Sequence, residues 1–113
     1  MRHPRYDCNE GCPVEACLGL IDGKWKGVIL YHLLSGTMRF NALRRLMPEI
    51  TQRTLTKQLR ELEADKLIRR KVYPEVPPKV EYSMSEYGQT LSPVISALHK
   101  WGTQHLKDSK KSR

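Results

Sequence analysis

The 113-residue sequence predicts a mainly helical α+β domain, in which four helices, a β-hairpin and a closing helix surround one core. Three observations carry that expectation. Apolar residues recur at three- and four-residue spacing along most of the chain. They alternate with polar residues only in KVEYSM, residues 79–84. The length, with 39% hydrophobic content, suits a single core and leaves little for a second.

The first helix opens at Cys12-Pro13, because proline suits a first helical position, and VEACLGLI keeps helical spacing until Asp22-Gly23 stops it. In KWKGVILYHLLSG, Trp25, Val28, Ile29 and Leu33 share a stripe that Leu30 and Leu34 widen. So broad a face predicts a central core helix ending at Gly36. RFNALRRLMP turns Phe40, Leu43 and Leu46 or Met47 inward and Arg44 and Arg45 outward, and Pro48 closes it. Thr51 then caps a fourth helix by accepting from an amide near Thr54. There Leu55, Leu59 and Leu62 form a narrow buried stripe, which leaves Gln52, Arg53, Thr56, Lys57 and Arg60 facing solvent.

Leu67-Ile68 leads into RRKVY, and KVEYSM returns antiparallel to it. The intervening PEVPPK carries three prolines, which cannot join a ladder and stiffen a protruding tip. The last segment, SEYGQTLSPVISALHKWGTQHL, is periodic at Leu91, Val94 or Ile95, Leu98 and Trp101, with a kink or fresh start expected at Ser92-Pro93. Residues 1–11 read as a flexible arm, 12–106 as the domain, and 107–113, KDSKKSR, as a basic disordered tail.

The formal net charge of +8 is unevenly spread. Residues 1–36 carry four bases and four acids, whereas residues 37–73 carry ten bases and four acids. A localised basic surface on a small domain points to a polyanion, most often nucleic acid. No apolar run reaches the ~18 residues of a spanning helix, and the N-terminus lacks the apolar stretch of a signal peptide, so a cytoplasmic location is expected. Enzyme signatures such as GxSxG, HExxH or a phosphate-binding glycine run are absent from the sequence, which predicts no catalytic activity and no cofactor.

A short helix closed by Pro48, a three-residue turn and a polar-fronted helix make a helix-turn-helix, and the hairpin beside it makes a wing. The fourth helix has its bases first and its acids last, the reverse of what a helix dipole prefers. Phosphates alongside its front would offset that cost. Gln52, Arg53 and Thr56 can read base edges, while Lys57 and Arg60 suit backbone phosphates. Thr51, Thr54 and, before the turn, Arg39, Asn41 and Arg44 join the candidate DNA contacts, with Arg69, Arg70, Lys71 and Lys79 on the wing. Lys57 with Glu61 and Arg60 with Glu63 could also pair locally, for only ~0.2–0.5 kcal/mol each. A winged helix that binds proteins and never touches DNA is the alternative.

These residues carry a resemblance. From Cys12 to about Gly102, the motifs CPVE, GKW, RFNALRR, TQRTLTKQLRELE and VYPEVPPKVEY resemble the HxlR family of bacterial transcriptional regulators, relatives of the MarR type. The resemblance implies a winged helix-turn-helix homodimer on pseudo-palindromic operators, repression by default, and a dimer contact built from the first and last helices. Leu18, Ile21, Leu91, Ile95, Leu98 and Trp101 are the candidate interface. Those on the final helix would otherwise leave an apolar patch open to association. It also implies, for some members, sensing of oxidants or electrophiles through the cysteine that is Cys12 here. Cys12 stands at an expected helix N-cap, where the dipole favours a thiolate. Asp7, Glu10 and Glu15 oppose that, and Arg2 and Arg5 partly restore it. Cys8 is a possible resolving thiol, and Cys17 is expected to pack inside the first helix. Cys8, Cys12 and Cys17, with His3, could instead ligate a metal, although their spacings are not those of usual zinc knuckles.

Overall fold

The computed structural model describes residues 11–111 and bears out the winged helix-turn-helix. Its elements run α1 (Pro13–Ile21), α2 (Lys26–Leu33), β1 (Met38–Arg39), α3 (Phe40–Leu46), α4 (Gln52–Ala64), β2 (Ile68–Tyr73), β3 (Lys79–Met84), α5 (Glu86–Gln89) and α6 (Ser92–Lys111). The assigned arm, with Cys8 and His3, lies outside the described residues apart from Gly11.

Helix α2 is central, as its broad apolar face requires: Ile29, Leu30 and Leu33 are fully buried. Around it pack Leu43 and Met47 of the α3 region, Leu55, Leu59 and Leu62 of α4, and Ile95 of α6. On α3 the inward position belongs to Met47, while Leu46 is about half exposed. Helix α1 buries none of its residues, so Cys17, expected inside, is only partly covered.

The sheet has three antiparallel strands in the order β1-β3-β2, one more than the expected hairpin. Met38 pairs with Tyr82 and Arg39 with Glu81, because the chain leaving Gly36 in a positive-φ conformation runs along β3 before entering α3. Two residues are too few to show a period of two. The hairpin register runs from Ile68 opposite Met84 to Tyr73 opposite Lys79, and residues 74–78 form the exposed tip.

The final segment divides where expected. Helix α5 ends at Gln89, and α6 starts at Ser92 with Pro93 in its first turn, where no intrahelical amide is required. The assigned disordered tail needs correction: α6 continues to Lys111. Its end is rich in lysine, a good helix former, and Gln104 Nε2 donates to Asp108 Oδ1 across one turn at 3.0 Å. No helix among the described residues is long and apolar enough to cross a membrane.

A compact junction ties the reading unit to the end of the sheet. Lys66 leaves α4 in the left-handed region, at φ 64°. Ser85 Oγ donates to the Lys66 carbonyl at 2.7 Å and accepts from the Gly88 amide at 2.9 Å, thereby capping α5. The Leu67 carbonyl sits where a side chain at position 88 would begin. Gly88→Ala must therefore displace backbone, and should lower the unfolding free energy by about 1–3 kcal/mol in urea denaturation. An unchanged midpoint would show that the junction gives way freely.

Candidate nucleic-acid interface

The turn between α3 and α4 is built by local hydrogen bonds around one apolar anchor. The Met47 amide donates to the Arg44 carbonyl and the Ile50 amide to the Met47 carbonyl, both at 3.0 Å, and Ile50 is buried. Thr51 Oγ1 accepts from the Thr54 amide at 3.1 Å, the cap the sequence predicts, and donates to Thr54 Oγ1 at 2.9 Å. Both front threonines are thus engaged in capping. Thr56 Oγ1 donates back to the Gln52 carbonyl at 2.8 Å, which leaves its lone pairs as the polar groups it can offer a partner.

Along the outer side of α4, Gln52, Arg53, Thr56, Lys57, Arg60 and Glu61 line one shallow surface. Among the described residues, Arg53, Lys57 and Arg60 have no carboxylate within ion-pair distance. Neither Lys57–Glu61 nor Arg60–Glu63 reaches ion-pair distance, although Lys57 adds to the field that keeps Glu61 charged. Glu61 is taken instead by Lys26 of α2, whose Nζ stands 2.8 Å from Glu61 Oε1 and 3.6 Å from Asp22 Oδ1. Lys26 is not among the site residues expected from the sequence. A signal was present: it lies three and four residues before Ile29 and Leu30, on the face that packs inward.

On the wing, Arg69, Arg70 and Lys71 are exposed. Arg70 shares a cleft with Thr56 and Arg60 of α4, so helix and wing converge there. Lys71 Nζ lies 4.9 Å from the Tyr73 ring centroid, and Lys79 approaches the same ring more closely. Its Nζ lies 4.6 Å from the Tyr73 ring centroid and 3.6 Å from Glu81 Oε2, so its charge is largely answered within the protein. Glu81 is held below the ordinary carboxylate range, first by the Tyr73 hydroxyl donating at 2.8 Å and then by Lys79. Arg39 lies opposite Glu81 in the sheet, and Asn41 and Arg44 are exposed on α3.

The assigned dimer residues separate into two groups. Leu18, Leu98 and Trp101 are exposed, at 55%, 54% and 70%, whereas Ile95 is buried. Ile95 belongs to the core, because its side of α6 faces α2, and it is withdrawn from the interface set. Ile21 and Leu91 pack partly against the same core. Cys12 is the N-cap of α1, with its carbonyl accepting from the Ala16 amide, and it is buried at 2% exposure.

Comparison with known proteins places this geometry. A family model described as HxlR-like helix-turn-helix matches residues 20–110. YdeP, an HTH-type transcriptional regulator of Bacillus subtilis (strain 168), is 60% identical over 96 residues, which is 85% of this chain and 75% of that protein. The redox regulator HypR in its reduced form is 52% identical with TM-score 0.83, covering 90% of this chain and all of that one. Its oxidised form gives 56% identity and TM-score 0.80, over 82% and 96% of the two chains. The reduced form of the transcriptional regulator YodB from B. subtilis is 35% identical with TM-score 0.71, over 82% and 92%.

The Lys26–Glu61 contact sets a pH dependence. Its hydrogen bond is the largest cause that lowers Glu61 below the ordinary 4.5, and also the largest that raises Lys26 above 10.5. The Glu61 contribution is therefore fully present above pH 4.5 and is lost as pH falls through its lower folded value. The Lys26 contribution is present below pH 10.5 and is lost as pH rises beyond it. Urea denaturation between pH 6 and roughly pH 3 should show a shallower acid loss in Lys26→Met than in the wild type. Identical acid limbs would deny the pair its linkage.

Proposed function

Since the chain belongs to the HxlR family of helix-turn-helix proteins and is a transcriptional regulator of that type, we propose that it binds operator DNA as a homodimer and represses transcription without catalysing a reaction. The observation that carries this reading is the row of cations on α4 with no carboxylate at ion-pair distance among the described residues, Arg53, Lys57 and Arg60, continued by Arg69, Arg70 and Lys71 on the wing. Inside the fold Lys57 acts on Glu61 only at a distance, and the helix dipole opposes the front half of the row. A phosphate backbone supplies the missing counter-charge. With the front of α4 in a major groove, Gln52 and Arg53 reach base edges, Lys57 and Arg60 reach phosphates, and the wing follows the adjoining backbone.

The homodimer is supported by the apolar side chains left uncovered on α1 and α6, Leu18, Leu98 and Trp101. A two-fold pair would present two copies of α4 about one DNA turn, ~34 Å, apart on a pseudo-palindromic site. A second reading, oxidant control through Cys12, is favoured by the two forms of HypR, oxidised and reduced, that this chain matches. Burial of Cys12 means that an oxidant must wait for α1 to shift, and α1 buries no residue that would hold it tightly.

Fluorescence anisotropy on a duplex selected from a random pool tests the main reading. Affinity should fall as salt rises, with a log–log slope of about −0.9 per phosphate engaged. Arg53→Ala with Lys57→Ala should weaken binding at least about tenfold while cooperative unfolding is kept. Undiminished binding by that double variant would dismiss α4 as the reader. For the thiol, diamide should release the wild type from DNA and leave Cys12→Ser bound; equal release of both would make Cys12 structural.

A further inference from the structure

Lys26 is the only buried charged side chain among the described residues, at 6% exposure. An ammonium group removed from water is costly unless it is paired, so its partners define what it does. One is Asp22, the C-cap of α1; the shorter contact, 2.8 Å, is to Glu61 on α4. Two residues earlier, Lys24 Nζ lies 3.5 Å from Glu49 Oε2 in the turn before α4. The segment 22–26 therefore meets the helix-turn-helix at two points, of which the Lys26–Glu61 contact is the sheltered one and Lys24–Glu49, with side chains 67% and 78% exposed, adds little.

The need for such a grip follows from how α4 is anchored. Leu55, Leu59 and Leu62 form one narrow stripe that seats the inner side of α4, and the outer side has no apolar packing of its own to add to it. Glu61 lies four and eight residues after Lys57 and Arg53, on the same outward row. Whatever holds Glu61 holds that row. An acid there repels DNA phosphates if it stands alone, and its own neighbour Lys57 acts on it without coming within ion-pair distance. A residue from α2 does.

We propose that Lys26, acting through Glu61, is a positioning residue that sets the rotation of α4 and so aims Arg53 and Lys57 at the duplex. The role rests on the DNA-binding reading for its consequence, although the tether itself concerns the free protein. Lys26 contacts no phosphate in this arrangement, and its effect on affinity is indirect.

Two substitutions at Glu61 separate this role from simple charge. If Glu61 were only a surface acid, Glu61→Ala and Glu61→Gln would both bind DNA more tightly than wild type. As the tether's anchor, Glu61→Ala should bind roughly 3- to 30-fold more weakly despite losing a negative charge, with Glu61→Gln in between because its amide oxygen still accepts from Lys26. Lys26→Met keeps the buried volume and leaves Glu61, with 41% of its side chain exposed, to water, so it should fold. It should bind more weakly over the same range with the salt slope unchanged, and hydrogen exchange in α4 should rise relative to α6 in the free protein.

Binding by Glu61→Ala as tight as wild type overturns the proposal, as does a salt slope in Lys26→Met smaller by about 0.9, the sign of a direct phosphate contact. Unchanged α4 exchange in Lys26→Met overturns it too. If wild type binds no duplex while Lys26→Met still loosens α4, the operator reading falls and the tether stands.

Discussion

Helix α4 has to be held on one side and left bare on the other, and the three buried leucines Leu55, Leu59 and Leu62 meet that constraint. Fully burying one such side chain contributes about 1.5–3 kcal/mol, and the Thr51 cap adds about 1 kcal/mol. Bases near a helix start cost at most about 1 kcal/mol each. Burial therefore wins by a clear margin, and the outer row of α4 is free to carry a charge pattern that would be unfavourable in an isolated helix. Pro48 and Ile50 fix where the helix begins, and Lys66 with Ser85 fixes where the chain leaves it.

Charge is distributed around that helix by removing acids as much as by supplying bases. Glu61 is engaged by Lys26, and Glu81 by Tyr73 and Lys79. Each would otherwise stand near exposed cations and weaken their field. What remains without a carboxylate at ion-pair distance is the set on the outer row of α4 and on β2, and the two elements meet at a cleft lined by Thr56, Arg60, Glu63 and Arg70. The family to which the chain belongs makes DNA the natural counter-charge, and this pairing of acids explains why the surplus is so localised.

Helices α1 and α6 carry a surplus of exposed apolar side chains. Helix α6 is 20 residues long, roughly 30 Å at 1.5 Å per residue, and extends past the core that Ile95 helps to fill. Beyond it Leu98 and Trp101 are exposed, Trp101 with only the stacked His105 ring against it among the described residues, and Leu18 of α1 is exposed as well. The cationic surface and the uncovered apolar side chains thus lie on different elements, joined through α2. Lys26 sits at that crossing, touching the end of α1 and the body of α4 together.

Most of the helices, the Thr51 cap, the leucine stripe of α4 and the hairpin were legible in the residues themselves, because hydrophobic period, capping and proline positions act over a few neighbouring residues. So was the location of the basic surface, which needs only a count along the chain. Strand β1 was not, since two residues carry no periodicity; neither was the continuation of α6 to Lys111, where a polar composition suits tail and helix alike. The sequence by itself determined where helices, turns and bases fall. Tertiary packing alone decided that Ile95 faces the core, that Lys79 is spent on Tyr73 and Glu81, and that Glu61 answers a lysine 35 positions earlier rather than its own neighbour. The physical reason is that periodicity states which side of an element is apolar, whereas the partner of a charge is chosen by whichever group the completed fold brings within hydrogen-bonding distance.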